Sequence, residues 1–375
     1  MSSTNIDDIV EINFTEIITT SIDTYFKREV IVAEFENAAL LNSHVFSTDG
    51  YEVYQSLSAV GQVFPTTHIV YKLAQDAFTQ KTNTGMNKSS LERLIIAQVK
   101  TTDSSFEAAL TRIGYADAHK WVCASREAED IVSFVNYFAD KTKMPHVQTS
   151  DADVLTDTAG NVAETLKDAS KKAVLYYHAI DEEGLDAAMA SMFCFAVPGR
   201  IAGVFDAPTG ITVDSFTDNE KSKLDANFVN FYTYYMGQTG TIGARPRTAG
   251  GYMTNGELTQ KQEILDRIKL NLQSAAMDAF DMKIPYSDPG GTILEGKLTA
   301  ALKQLQKEGI IDGNIVGSTV EVGDTSKGFE LRVLTMQETQ TDYISKYGVQ
   351  KYVAIARFRV VVNAKSVEIN ITYSL

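Results

Sequence analysis

The sequence predicts an α/β middle domain followed by an α+β C-terminal unit of two helices and antiparallel strands, with extended strand arms at both ends. Three observations predict it. Apolar runs alternate with helical repeats from about residue 29 to 200, the rhythm of a largely parallel sheet covered by helices. Two long amphipathic stretches follow beyond residue 257. Residues 351–375 then alternate with a period of two, which places every second side chain on one face of a strand.

That last stretch sets the pattern for both arms. Tyr352, Ala354, Ala356, Phe358, Val360 and Val362 share a face. After Asn363-Ala364-Lys365-Ser366 the alternation restarts with Val367, Ile369, Ile371, Tyr373 and Leu375. Val10-Glu11-Ile12-Asn13-Phe14-Thr15 is a near copy of Val367-Glu368-Ile369-Asn370-Ile371-Thr372. Such ends can pair with each other, close the sheet of their own domain, or be lent to neighbouring molecules. In the last case backbone hydrogen bonds supply affinity and alternate side chains supply register. Five apolar side chains on one arm give on the order of 10 kcal/mol gross. Ordering about eight or nine residues costs roughly 1–2 kcal/mol each and nearly cancels that gain. One arm therefore binds weakly, and many arms together hold a lattice. The candidate subunit-interface residues are Val10, Ile12, Phe14, Val367, Ile369, Ile371 and Tyr373.

A chain of 375 residues has room for two or three domains. Its formal net charge of −14 argues against a nucleic-acid partner, which would want a basic face. Residues 1–20 carry Asp7, Asp8, Glu11 and Glu16 without a Lys or Arg, whereas Arg332, Lys346, Lys351, Arg357, Arg359 and Lys365 make residues 329–375 mildly basic. An acidic arm meeting a basic sheet suits either pairing scheme, although exposed charges are screened. Cys123 and Cys194 each lie in an apolar run and are expected to be buried free thiols. The sequence shows no secretory leader and no apolar run near the roughly 20 residues that span a bilayer, so synthesis and folding in a cytoplasm are expected.

In order, the elements are as follows. Residues 1–20 form the N-terminal arm and 21–200 the α/β domain, taken as the outer one. It opens with a buried strand over 29–33 and a polar loop up to Tyr51. A short helix is expected over 53–60, a second from Phe64-Pro65-Thr66-Thr67 through Gln80, and a strand over 91–99. Asp103 or Ser104 would cap a helix with Phe106, Ala109, Leu110 and Ile113 at helical spacing. A strand over 121–124 precedes a helix capped by Ser125 and carrying Ile131, Phe134, Val135 and Phe138. Further strands are expected over 145–148 and 173–178, and helices over 162–169 and 184–195. These strands lack alternation, as strands covered on both faces do. Residues 201–256 read as a connection, with a helix over 218–236 that carries Phe228, Phe231, Tyr232, Tyr234 and Tyr235, and then a Gly-rich loop. Residues 257–365 form the α+β unit. Its first helix covers 258–280, Pro289-Gly290-Gly291 breaks the chain, and a second helix covers 294–307 with Gly309 just past its end. Extended pieces over 310–316 and 319–322 and a strand over 329–338 precede the closing pair, and 366–375 is the C-terminal arm.

Catalytic constellations are sparse. The loop Gly237-Gln238-Thr239-Gly240-Thr241-Ile242-Gly243 follows a helix and has no Gly-Lys-Ser/Thr ending, so it lacks phosphate-loop mechanics and reads as a connection. His44, His68, His119, His146 and His178 have no metal-ligand spacing. His178 is the best catalytic candidate because it ends a strand, and sheet C-terminal edges host sites in α/β folds. A satisfied structural histidine is the simpler account of it. Asp181-Glu182-Glu183 reads as a solvated turn or a weak cation attractor, and the aromatic cluster as core. No acid, base and nucleophile assemble, so no cofactor, no metal and no enzymatic activity are expected.

The order of parts resembles the contractile tail sheath proteins of tailed bacteriophages. An extended N-terminal arm, an α/β middle, a helix pair introduced by Asn227-Phe228-Val229-Asn230-Phe231-Tyr232 and the Gly-rich loop, and a closing β-unit with its arm carry the likeness. It spans the whole layout and is specific from about residue 226 to 375. The resemblance implies a virion structural subunit, assembled in the host cytoplasm, whose C-terminal unit and arms surround the tail tube while the middle domain decorates the outside. It implies a helical homo-oligomer that meets the tube, baseplate and tail terminator proteins. Contraction to a wider, shorter and more stable helix would drive the tube through the host envelope. This chain is shorter than the larger sheaths, with at most one outer domain, which leaves a simplified sheath or a related contractile particle. Tube contact would use Lys261, Arg267, Lys269, Lys297, Lys303 and Lys307 on the exposed side of the helix pair, although each also reads as an ordinary solvated cation. The competing class is an α/β enzyme with an appended β-domain and a site near His178 and Asp181.

Overall fold

The structure, a computed structural model, describes residues 22–80, 91–103, 105–113, 116–156, 158–167, 172–195, 201, 203–235, 245–311, 329–339, 352 and 354–358. The interface residues Val10, Ile12, Phe14, Val367, Ile369, Ile371 and Tyr373 and the loop 237–243 lie outside them. The described residues form two compact units, one up to Glu263 and one from Ile264 onward.

In the first unit the elements run α1 (Ile22–Phe26), β1 (Arg28–Glu34), β2 (Tyr51–Tyr54), α2 (Leu57–Val60), α3 (Ile69–Thr79), β3 (Arg93–Val99), α4 (Phe106–Ile113), β4 (Lys120–Cys123), α5 (Ala128–Tyr137), β5 (Met144–Thr149), α6 (Asp153–Thr156), α7 (Val162–Leu166), β6 (Val174–Tyr177), α8 (Leu185–Phe195), α9 (Asp218–Ala226), β7 (Asn230–Tyr235) and β8 (Arg245–Ala249). They build one eight-stranded sheet in the order β2-β3-β1-β4-β5-β6-β7-β8. Neighbours from β3 to β7 are parallel, and the edge strands β2 and β8 are antiparallel to their neighbours. The order is doubly wound, reversing between β1 and β4.

Both faces of this sheet are covered. Val30, Val32, Trp121, Cys123 and Leu175 point into a core shared with α4, α5 and α7. Ile31, Ala33, Ile96 and Val122 point the other way, onto α3 and α8. Continuous Val/Ile/Leu runs are what such strands require, and β1, β3, β4, β5 and β6 stand where the sequence predicts them. α8 is buried all round from Leu185 to Cys194 and is accordingly apolar apart from Asp186 and Ser191. Cys123 and Cys194 are buried free thiols, and burial pushes the Cys123 thiol up to about 12.

Several expectations are corrected. The helix expected over 218–236 ends at Ala226, and the aromatic run after it is the strand β7. Aromatic and β-branched residues fit a pleated surface better than a helix turn, and Phe231 and Tyr232 serve opposite cores. Thr217 and Glu220 form a capping box that starts α9. Val53 belongs to the edge strand β2, and the helix that follows is only Leu57–Val60. Asp103 does not cap α4; its carboxylate accepts from the Lys100 amide and from Arg112, while the Ser105 hydroxyl accepts from the Ala108 amide. Ser125 donates to Asp130, and α5 begins at Ala128 after Glu127.

The chain leaves the sheet unit through the first turn of α10 (Thr259–Asp281), whose residues up to Glu263 count with the sheet. The second unit holds the rest of α10, α11 (Asp288–Lys307), β9 (Phe329–Val333), α12 (Met336–Thr339) and β10 (Ala354–Phe358). Ile264, Ile268, Leu272 and Ala276 of α10 repeat every four residues and meet Leu294, Leu298, Leu302 and Leu305 of α11 together with Phe329 and Val333 of β9. β9 and β10 are antiparallel, with Phe358 opposite Phe329. The strand expected over 329–338 stops at Val333 and turns into α12, and of the piece expected over 310–316 only Ile310 and Ile311 are described.

Pro289-Gly290-Gly291 does not break the chain but forms the first turn of α11, with Ser287 as its cap. The Tyr352 hydroxyl, accepting from the Ser287 amide at 3.0 Å and donating to the Pro285 carbonyl, occupies the space a Cβ on Gly290 would need. Gly309 lies just past α11 with φ +74°, as a C′ glycine should.

Leu302→Ala should destabilise the chain by about 2–5 kcal/mol, because Leu302 is fully buried between α10, α11 and β9. Ser287→Ala should cost about 1 kcal/mol through the lost cap. Urea unfolding followed by circular dichroism measures both.

Candidate functional site

The C-terminal edge of β4, β5 and β6 gathers a set of charged side chains: Arg126, Asp186, His178, Asp214, Glu183 and Asp76. His178 follows β6 directly and its side chain is fully buried. Its Nδ1 lies 2.7 Å from Asp214 Oδ2 and its Nε2 lies 3.1 Å from Glu183 Oε2. Asp214 is held by the main chain: its amide donates to Tyr232, its carbonyl accepts from the Thr233 hydroxyl, and its Oδ1 accepts from the Ala179 amide at 3.4 Å. Glu183 accepts from the Thr212 amide at 2.6 Å and the Thr212 hydroxyl at 2.7 Å.

Three further contacts fix the turn before α8. The Asp76 carboxylate of α3 accepts from the Gly184 amide at 2.7 Å. Gln148 of β5 accepts from the Leu185 amide with its Oε1 and donates to the Glu183 carbonyl with its Nε2, both at 2.8 Å. Arg126 grips Asp186 in bidentate fashion at 2.7 and 3.2 Å. Of the three adjacent carboxylates read as a solvated turn or a weak cation attractor, Asp181 and Glu182 are exposed, Glu182 pairing with Lys72, while Glu183 turns to His178.

Burial pulls the His178 imidazole down, but its hydrogen bonds to the two carboxylates outweigh that and leave it raised. Burial acts against the Glu183 carboxylate, and the Thr212 and His178 bonds overcome it, so Glu183 titrates lower than usual. Burial lifts Asp76 to about 6. In its protonated form the ring is a cation held between two carboxylates. Both ring nitrogens are engaged by carboxylates, so the ring pins the turn 179–184 and the segment around Asp214 onto the sheet edge.

The other histidines are dispersed. His44 meets Glu52, the His68 Nδ1 caps α3 at the Val70 amide, His119 lies against the Phe26 ring, and His146 stacks on Tyr176. Among the described residues no group of three His, Cys, Asp or Glu side chains is placed to hold a metal. Among them, too, no helix is long and apolar enough to cross a membrane.

Of the six cations named for tube contact, Lys303 and Lys307 are exposed and Lys269 and Lys297 half-buried. Lys261 pairs with Glu257 at 2.9 Å. Arg267 departs from the expectation, being buried with its guanidinium 3.9 Å from Glu308. Asp214 and Asp76 were missed because they lie far from His178 in sequence, and no local spacing marks them. A comparison with protein-family models finds no match for this chain, and a comparison with curated proteins finds none either.

The clamp makes stability depend on pH in a direction that can be worked out. A raised histidine contributes fully below its unfolded value of 6.5, and the contribution fades as pH rises through its higher folded value. A lowered Glu183 contributes above 4.5, and that contribution is lost as pH falls through its lower folded value. The stability gap between the native chain and His178→Asn should therefore be widest between pH 4.5 and 6.5 and should shrink above it. Hydrogen bonds to charged groups set its size at about 1.5–3 kcal/mol, read from urea midpoints across pH.

Proposed function

We propose that the chain is a structural subunit of a contractile tail sheath, one that polymerises around a tail tube through exchanged terminal strands and contracts to drive the tube through a host envelope. The carrying observation is the second unit. There a helix pair backs an antiparallel pair of strands, β9 and β10, which among the described residues pair as strands only with each other, the Val333 amide also donating to Glu295 of α11. A two-stranded sheet is marginal by itself, and the edges of a sheet are templates for further strands. The alternating segments at 10–14 and 367–373 have the pattern such edges accept. Exposed Met277, Phe280 and Met282 crowd the end of α10 in the same unit, and large apolar side chains in solvent are a feature of contact surfaces. Its partners on this reading are further copies of itself, the tube, and the proteins that cap the sheath at each end.

The competing reading is an enzyme centred on His178. Its support is the position of that residue beside Asp214 at the sheet edge, where α/β folds place ligands. The occupation of both ring nitrogens by carboxylates counts against it, because a general base needs one nitrogen facing its substrate.

Negative-stain electron microscopy of the purified protein at high concentration should show tubes or rings. Deleting residues 366–375 should abolish them and leave a folded monomer by circular dichroism. An unfolded truncation would mean that the strand belongs to its own core. Tubes that persist would mean that it is not the connecting arm. Loss of a measurable activity in His178→Ala, with assembly intact, would favour the enzyme.

A further inference from the structure

One face of the sheet brings two buried carboxyl groups, Glu29 and Glu263, to one buried ammonium, Lys120. Glu29 of β1 and Lys120 of β4 are register partners on adjacent parallel strands, so their side chains leave the same face of the sheet. Both are fully buried, as is Glu263 in the first turn of α10. The Lys120 Nζ lies 2.5 Å from Glu263 Oε1, 3.5 Å from the Phe26 carbonyl and 4.9 Å from the centre of the Phe26 ring. Neither oxygen of Glu29 meets a hydrogen-bond donor of the protein. Burial without a partner is far more costly for a carboxylate than for the neutral carboxylic acid, so the acid is the form favoured here.

The groups around Glu29 agree. Its partner on β3 is Leu94, and α3 contributes Leu73, Ala74 and Ala77 to the same core, all apolar. From α8 come the buried Cys194 thiol and the negative charge of Asp186, which is itself paired with Arg126. Burial first, and Asp186 second, raise the Glu29 carboxyl well above the usual range. His146, the polar side chain on the same face of β5, is pushed well down by burial and by Lys120, and stays neutral. The resting state is thus a neutral acid beside a charged pair.

Lifting the first turn of α10 removes Glu263 and would strand Lys120 as a lone buried cation, which protein interiors do not tolerate. The lysine has a flexible four-carbon stem, and Glu29 stands on the neighbouring strand. We propose that Glu29 is a reserve counter-ion: when the first turn of α10 leaves the sheet, Lys120 transfers from Glu263 to Glu29, and Glu29 gives its proton to solvent. The O–H bond of the Glu29 acid breaks, water takes the proton, and one ammonium–carboxylate pair replaces another. This makes release of the turn through which the chain leaves the sheet unit less costly and couples it to one proton. It holds whatever the chain assembles into.

Hydrogen exchange on the full chain tests it at the Thr259 and Gln262 amides, which are bonded to Gly251 and Leu258. Opening that releases one proton should become about tenfold more favourable per pH unit through the neutral range. Glu29→Gln, which keeps the shape of the neutral acid, should remove that slope and slow opening at least about tenfold at its upper end. Protonation of His119 or His146 on opening would affect both chains alike and leave the difference intact. Infrared spectra should show a buried carboxylic-acid carbonyl band in the native chain and none in Glu29→Gln. Equal slopes in the two chains, or no such band in the native chain, would overturn the proposal. So would a Glu29→Gln chain that fails to fold, because that would mean Glu29 is ionised and paired at rest.

Discussion

A sheet buried on both faces leaves no room for an unanswered charge, and most of what is distinctive in this molecule follows from that constraint. Trp121 and Val122 of β4 enter opposite cores, and both are fully buried. Every ionisable group in or beside the central strands must then be paired, neutralised or pushed to an end. Asp186 is paired with Arg126, Lys120 with Glu263, and Glu29 is kept as an acid. At the carboxyl edge the same pressure produces the ring of His178, Asp214 and Glu183, where a cation and two anions satisfy one another and fasten two loops. The polar features of the sheet unit are thus consequences of its thickness.

The parallel strands and their covering helices were legible because burial on two faces writes itself as an unbroken apolar run. Glu29-Val30-Ile31-Val32 and Lys120-Trp121-Val122 show it, and each also carries an ionisable residue at its lip, the one local sign that a buried polar cluster was present. Its third member, Glu263, leaves no mark, since a carboxylate in a helix ordinarily faces water. The region after residue 217 was misread for a different reason. Nine helix-forming residues with a capping box run directly into an aromatic strand, and period alone did not show where one ended. Asp214 pairs with His178 across a distance in sequence that no motif spans. The edge strands β2 and β8 were overlooked because short edges bury little and need no apolar run.

The second unit shows the opposite economy. Its helices bury one stripe each, and its two strands bury one face, so the repeats of four and of two were readable in the letters. Its cations are less uniform than a list of lysines suggests, with Arg267 turned inward to Glu308 while Lys303 and Lys307 face solvent. Beside that small sheet backed by helices, Met277, Phe280 and Met282 stand in solvent.

The outermost strands of the large sheet bear on whether another strand can add to it. β8 carries Pro246, which has no amide hydrogen to offer a newcomer, and β2 is only four residues long with Glu52 already engaged by His44. Each flank is therefore a poor template, and copies cannot readily be zipped side by side into a continuous ribbon through this body. The two flanks of the broad sheet thus resist the addition of a further strand even where the parallel strands between them are long and apolar.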